Sequence, residues 1–187
     1  VKADGLAAGK GVRVAETVEQ AEEAIRDALE ANAFGSAGGR VVIEDFLVGE
    51  EASILALIDG EHIVLLASSQ DHKRIFEKDE GPNTGGMGAY SPASIVNEVV
   101  REKVIREVYE PMLAELKKRG ITYKGVLYAG LMIQDDQPAV VEFNCRFGDP
   151  ETQAVLARWD GDMLPALEAV VDGTLSNDLI HWKSEPS

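Results

Sequence analysis

Cysteine is almost absent from this chain: Cys145 is the only one in 187 residues. A lone thiol excludes an internal disulfide framework and suits a reducing cytosol. Basic residues are also scarce, 18 Lys and Arg against 33 Asp and Glu, for a net charge of −15. That balance argues against a sequence-independent nucleic-acid binder, which needs a broad basic surface. No apolar run approaches membrane-spanning length. Neither nucleic acid nor a membrane is therefore an expected partner, and a cytoplasmic location is. Histidine is limited to three residues, with no second one at ligand spacing from His72. No Gly-x-Ser-x-Gly elbow exists, so a hydrolase triad finds no support. Internal repeats and low-complexity tracts are missing as well.

An apolar content of 45% supports a real core, in one domain or two small lobes. A protein this acidic binds an anion such as a nucleotide only through local cations and a metal. Lys2, Lys10, Lys73, Arg74 and Arg146 therefore carry more weight than their number. The chain opens on Val1-Lys2 without a methionine and closes on the polar Lys183-Ser184-Glu185-Pro186-Ser187. These ends read as those of a piece of a longer protein.

Short strands are expected at Val1-Lys2 and from Val12 to Ala15, around the loop Ala3 to Gly11. Thr17 caps a helix, Gln20 completes a capping box, and Val18, Ala21, Ile25, Ala28 and Leu29 form its apolar stripe. A strand from Arg40 to Glu44 bends through Asp45 to Glu50 into a longer one, Ala52 to Ile58. Asp59-Gly60 signals a hairpin into Ile63 to Ser69. Gln70 to Pro92 reads as a long polar, glycine-rich loop. Ile95 to Arg119 is helical, with Pro111 as a kink or the start of a second segment and Gly120 as its end. Val126 to Ile133 reads as a central strand, turned by Asp135-Asp136 into a strand carrying Glu142. Asp149 as cap and Pro150 as first residue start another helix; Asp162 starts the next, which Gly173 ends. Hairpins mixed with helices predict an α+β fold. A seam near residue 60 is expected, with lobes at 1–60 and 61–187.

Three motifs and one strand could carry chemistry. Lys2-Ala3-Asp4-Gly5-Leu6-Ala7-Ala8-Gly9-Lys10-Gly11 combines glycines, whose amides can approach phosphate oxygens, with two lysines. It departs from a Walker A loop in spacing, in lacking a following Ser or Thr, and in leading to a strand. The alternative is an ordinary hairpin. Val41 to Glu51 is a strand breaking into an apolar link, which suits the edge and faces of an adenine, and Glu51 could take ribose hydroxyls. Ser69-Gln70-Asp71-His72-Lys73-Arg74 leads into Gly81 to Pro92, and could grip a small zwitterion or phosphate; a solvated charge cluster is the alternative. In Val141-Glu142-Phe143-Asn144-Cys145-Arg146, alternation puts Glu142 and Asn144 on one face, with Arg146 next in line. Val141 and Phe143 then point to a core. A carboxylate, an amide oxygen and a fixed cation can hold a hard divalent metal against an anion. Alternation alone leaves this open against a solvated edge strand. Cys145 points away from Asn144 and reads as structural.

The wording of these segments carries a resemblance. KADGLAAGKGV from Lys2, SQDHKR from Ser69, GPNTGGMGAYSP from Gly81, YAGLMI from Tyr128 and EFNCRFGDPET from Glu142 closely resemble the phosphoribosylamine–glycine ligase (glycinamide ribonucleotide synthetase) family of de novo purine biosynthesis. Its fold is ATP-grasp: two lobes with antiparallel sheets and flanking helices, here truncated at both ends. The resemblance implies ATP-dependent ligation of glycine to 5-phosphoribosylamine through a glycyl phosphate, with ATP and Mg2+ (or Mn2+) required. Residue by residue, it implies Lys2, Lys10, Gly9 and Gly11 at the phosphates. Glu44, Phe46 and Leu47 frame the adenine, and Glu51 meets the ribose. Glu142 and Asn144 bind metal, and Arg146 steadies the glycine carboxylate. Asp71, Lys73 and Asp149 lie on the amino-acid and ribosylamine side.

Two departures qualify this. Many ATP-grasp enzymes carry another acidic ligand on the preceding strand, but Leu127 to Ile133 holds no acid. The resemblance also leaves the family's N-terminal domain, the first part of the lid lobe and the C-terminal domain as missing partners, so the isolated chain is expected to show little or no ligase activity. Another ATP-grasp carboxylate–amine ligase, or an ATP-binding module without catalysis, are the alternatives.

Overall fold

The computed structural model describes residues 1–5, 7, 11–31, 33–77 and 80–187, with the backbone alone for Pro82 and Asn83. The chain divides into two compact units, Val1–Leu47 and Val48–Ser187.

In the smaller unit, β1 (Lys2–Ala3) and helix α1 (Val18–Leu29) precede β2 (Val41–Val42). β1 pairs antiparallel with β2, Lys2 opposite Val42, and a single bridge joins Lys2 to Val12. Thr17 caps α1 as expected, its hydroxyl accepting from Gln20 N at 3.3 Å. The Gln20 side chain closes the box on Glu16 N at 2.8 Å, one residue ahead of the cap. The apolar stripe is only partly covered: Ala28 and Ala24 are buried, while Val18 and Leu29 are 70% and 47% exposed. What packs there is small, Gly38 lying so close that a β-carbon on it would stand 2.6 Å from Ala28 O.

The larger unit runs β3 (Glu50–Ile58), β4 (Ile63–Leu65), β5 (Gln70–Asp71), β6 (Arg74–Phe76), β7 (Glu80–Asn83), β8 (Ala89–Tyr90), α2 (Glu98–Lys103), α3 (Glu110–Lys118), β9 (Gly125–Gln134), β10 (Gln137–Asn144), α4 (Glu151–Ala157), β11 (Trp159–Asp160), α5 (Leu164–Asp172) and β12 (His181–Trp182). Its central sheet is antiparallel in the order β10-β9-β3-β4. β3 pairs with β9 from Glu50↔Ile133 to Ile58↔Gly125. Residues 48–60, placed in the small lobe by the sequence, therefore belong to the larger unit: their ladder partner is there.

Helices cover most of one face of the sheet. Val100, Val104, Tyr109 and Leu113 pack on Ile54, Ala56, Leu127 and Ala129. Pro111 starts a second helical segment, α3, which follows a π-helical segment Val104–Tyr109. Pro111 sits in the first turn of α3, so its missing N–H falls where the helical ladder changes from the π to the α pattern. The Tyr109 hydroxyl reaches Ile54 O at 2.8 Å and Leu127 O at 3.0 Å, tying this layer to two strands. On the opposite face, Leu55, Leu57 and Tyr128 meet Val155, Trp159, Ala166 and Val170 from the α4–α5 region.

Asp135 and Asp136 join β9 to β10 with φ of 52° and 58°, as a two-residue hairpin turn of the primed type requires. β10 is an edge strand, which tolerates Pro138. The stretch 70–92, expected as a loop without regular structure, contains two ribbons, β5 with β8 and β6 with β7. Asp149 is not the cap of α4. Pro150 occupies that position, and Asp149 Oδ1, one residue too early to reach the first amides, accepts from Gln153 Nε2 at 2.8 Å.

Candidate functional site

Residues paired across a ladder point to the same face of a sheet. Glu51 and Ser53 on β3 stand opposite Met132 and Gly130 on β9, while Glu142 and Asn144 on β10 stand opposite Gly130 and Tyr128. One sheet face thus carries Glu51, Ser53, Tyr128, Glu142 and Asn144. Further along it, Leu55 and Leu57 are covered by helices. The polar residues occupy the part of that face where a cleft opens, lined by Glu51, Ser53, Asp71, Lys73, Tyr128, Gly130 and Glu142.

The alternation read from the sequence holds for Glu142, Phe143 and Asn144 but not for Val141. The register shifts between Val140 and Glu142. Such a bulge puts two residues against one and breaks the period of two. Val141 is 38% exposed and lines the cleft beside Glu142, whereas Phe143 packs on the core. Cys145, read as structural, is exposed.

Lys73 is a cation among acids in this lining. Its Nζ lies 3.3 Å from Glu51 Oε2. Burial alone would lower its pKa; Glu51 first, then Glu142 and Asp71, outweigh that and raise it. Asp71 is buried, and its Oδ1 has no hydrogen-bond partner. Burial, joined by the charge of Glu151, pushes Asp71 upward against the pull of Lys73. Gly86 closes on this carboxylate: a β-carbon there would stand 3.0 Å from Asp71 Oδ1 and 2.5 Å from Pro150 Cδ.

Three residues that the sequence did not single out form a buried polar triangle under the cleft. Ser53 Oγ and the Tyr128 hydroxyl each lie 3.0 Å from Glu151 Oε1, and 2.8 Å from one another. Burial raises the Tyr128 pKa. Position 148 is held to glycine by the same carboxylate, since a β-carbon would meet Glu151 Oε2 at 2.4 Å. A serine and a tyrosine inside otherwise apolar strands were the available signal; Glu151 stood within the motif wording without a role.

Two further candidates of the larger unit, Arg146 and Asp149, do not line this cleft. Arg146 is exposed and donates to Phe147 O at 2.8 Å, and Asp149 is held by Gln153. In the smaller unit, Lys2 Nζ pairs with Glu44 at 3.1 Å. Gly11 is buried, its carbonyl accepting from Ala3 N at 2.7 Å. Phe46 is 68% exposed and Leu47 half-buried. Gly9 and Lys10 lie outside the described residues.

The donor set on β10 fits a hard divalent cation. Glu142 and Asn144 offer carboxylate and amide oxygens, the ligand types magnesium and manganese accept. Gly130 beneath leaves space for the Glu142 side chain, as a β-carbon would stand 3.1 Å from its Cγ. Among the described residues no three His, Cys, Asp or Glu are arranged to hold a metal. A metal here would complete its shell with oxygens from outside the protein. Nor is any helix among them long and apolar enough to cross a membrane.

Comparison with known proteins bears on the family and the fold. The chain is 56% identical over 188 aligned residues to a phosphoribosylamine–glycine ligase of Xanthomonas campestris, covering all of this chain and 44% of the relative. A crystal structure of phosphoribosylamine–glycine ligase from Thermotoga maritima superposes with a TM-score of 0.80 at 36% identity, over 92% of this chain and 44% of that one. A biotin carboxylase–β,γ-ATP complex from Campylobacter jejuni shares the fold, with a TM-score of 0.66 at 17% identity over 94% of this chain and 37% of that one. The chain thus spans under half the length of the relatives it matches. With the model of the phosphoribosylglycinamide synthetase ATP-grasp (A) domain matching residues 1–152, the chain belongs to that family, with its ATP-grasp fold.

Proposed function

We propose that this chain is the ATP-grasp core of a cytoplasmic ligase that joins glycine to 5-phosphoribosylamine at the expense of ATP, in de novo purine biosynthesis. The observation that carries the reading is the single sheet face on which Glu142 and Asn144 stand beside a cleft holding Glu51, Asp71 and Lys73. Such a face can bring a metal-bound triphosphate next to a small zwitterion.

In this reading the glycine carboxylate attacks the γ-phosphate, releasing ADP and forming glycyl phosphate. The ribosylamine nitrogen then displaces phosphate to leave the amide. Phosphoryl transfer of this kind is chiefly positioning and charge neutralisation. Lys2, Lys10 and the amides of Gly9 and Gly11 hold the phosphates; Glu44, Phe46 and Leu47 frame the adenine. Glu51, the ribose candidate, also fixes Lys73. Glu142 and Asn144 hold Mg2+ or Mn2+, which when bound neutralises charge on the phosphates. Asp71 and Lys73 face the amino acid, while Arg146 and Asp149 wait on the acyl and ribosylamine side. The rest of the relatives' length supplies the N- and C-terminal domains and part of the ribosylamine phosphate site, so the chain alone turns over little or nothing.

Calorimetric titration of ATP with and without Mg2+ tests this. Magnesium should tighten ATP binding to the wild-type chain and leave Glu142→Ala/Asn144→Ala unaffected. ATP binding that keeps its full metal dependence in the double variant would reject the metal site and favour a binding module without catalysis.

A further inference from the structure

Lys73 reaches the cleft from a gap between two backbone ladders. β5 ends its pairing with β8 at Asp71↔Ala89, and β6 begins its pairing with β7 at Arg74↔Asn83. Residue 73 falls between them, yet it supplies the lysine of the cleft lining, 3.3 Å from Glu51 Oε2. A lysine stem is flexible, so the place of its ammonium depends on how the backbone at 73 is held. Thr84 holds it twice. The Thr84 amide donates to Lys73 O at 2.7 Å, and the Thr84 hydroxyl donates to the same oxygen at 2.9 Å. That hydroxyl also accepts from Gly86 N at 3.1 Å. Accepting from an amide two residues on is a local turn habit of Ser and Thr. Donating to a carbonyl 11 residues back ties two separate stretches of chain.

Gly86 in turn closes on the Asp71 carboxylate, a β-carbon there standing 3.0 Å from Oδ1. Its φ of 128° suits glycine alone. With Gly85 and Gly88 beside it, the segment has much backbone freedom to lose on ordering. We infer that Thr84 is a positioning residue, whose hydroxyl fastens Gly86 to the Lys73 backbone and so sets where Lys73 and Asp71 stand in the cleft. This deepens the proposed function, in which Lys73 and Asp71 face the amino acid. Thr84 acts through these neighbours. Thr84→Val keeps the branched shape but can neither donate to Lys73 O nor accept from Gly86 N, whereas Thr84→Ser keeps both.

Two readouts test this, and the first needs no ligand. The NMR order parameter of the Lys73 ε-carbon, identified by loss of its signal in Lys73→Arg, should exceed that of the exposed Lys118 in wild type. Thr84→Val should bring it down to the Lys118 value, and Thr84→Ser should keep it. The second readout is calorimetric titration with glycine in saturating Mg-ATP. Thr84→Val should weaken glycine at least fivefold and leave Mg-ATP affinity within twofold; Thr84→Ser should stay within twofold of wild type for both. Thermal midpoints report folding, and Thr84→Ala, equally without the hydroxyl, replaces a Thr84→Val that does not fold. A folded variant lacking the hydroxyl with Lys73 as ordered, or glycine as tight, as in wild type overturns the inference. So does a Thr84→Ser as impaired as Thr84→Val. Wild type that binds no Mg-ATP overturns the proposed function instead, and the ligand-free readout then decides the role of Thr84 by itself.

Discussion

Gly130 on β9 stands directly opposite Glu142 on β10, close enough that a β-carbon at position 130 would lie 3.1 Å from Glu142 Cγ. The glycine is thus the floor on which the metal-site carboxylate rests. A branched side chain there must push Glu142 away from Asn144. Gly130→Val is expected to weaken the metal-dependent part of ATP binding by about tenfold, or about 1.4 kcal/mol. Metal-free ATP binding should barely change. Calorimetry with and without Mg2+ separates the two, and equal losses in both would refute the floor role.

Asp59 should dominate the acid sensitivity of the larger unit. Its buried carboxylate accepts from Glu61 N at 2.9 Å, His62 N at 2.7 Å, the His62 ring at 2.9 Å and Leu175 N at 3.0 Å. Burial pushes its pKa upward, but these four hydrogen bonds prevail and hold it below the ordinary carboxylate range. A depressed folded value means the stabilisation is complete above about pH 4, the unfolded value. It is lost as pH falls toward the folded one. Asp59→Asn should cost about 2–3 kcal/mol at pH 7, measured by urea unfolding. The gap to wild type should close progressively below about pH 4; a gap independent of pH would contradict this.

Arg158 pins the last residues of the chain. Its guanidinium donates to Lys183 O at 3.0 Å, Glu185 O at 3.1 Å and Ser91 Oγ at 3.2 Å. Ser187 and Ser91 exchange backbone hydrogen bonds at 2.9 Å. Arg158→Ala should release this tail, seen as faster amide exchange at Ser91 and Ser187 and a loss of roughly 2–3 kcal/mol. Lysine should not rescue it, since one ammonium on a flexible stem cannot reproduce the planar fork. Protection at Ser187 undiminished in Arg158→Ala would sink the prediction.

Tyr109→Phe tests the tie between the π-helical segment and the sheet. The lost hydroxyl leaves Ile54 O and Leu127 O with one partner fewer, for a cost of about 1–2 kcal/mol. Thermal unfolding reads this directly, and a change within about 0.3 kcal/mol would show the contacts to be replaceable.

The fold was readable where periodicity and turn chemistry agree. Thr17 and Gln20 announce a helix start, Asp59-Gly60 a hairpin, and the apolar run in β9 a central strand. It was least readable where partners lie far along the chain. Residues 48–60 looked like part of the first lobe, because nothing local reveals that β3 pairs with a strand 67 to 83 residues later. Pro111 marked the start of a second helical segment, but the π-helical segment upstream of it leaves no local mark. The site followed the same division. Glu142, Asn144, Asp71 and Lys73 stand in polar, irregular wording that attracts notice. Ser53 and Tyr128 sit inside apolar strands, where they read as core.

What the sequence determined by itself was chemistry and order. It carried a set of hard oxygen donors, scarce cations on an acidic chain, and motif wording specific enough to indicate the family. Side-chain identity is local, so it needs no coordinates. Only the tertiary structure decided which of these groups meet. The β3–β9–β10 ladders bring residues 51, 53, 128 and 142 onto one face; the bulge before Glu142 turns Val141 into the cleft; and the start of α4 sets Glu151 under two hydroxyls. Register is a property of paired strands rather than of either strand alone, and a triangle of buried oxygens exists only once three distant segments have packed.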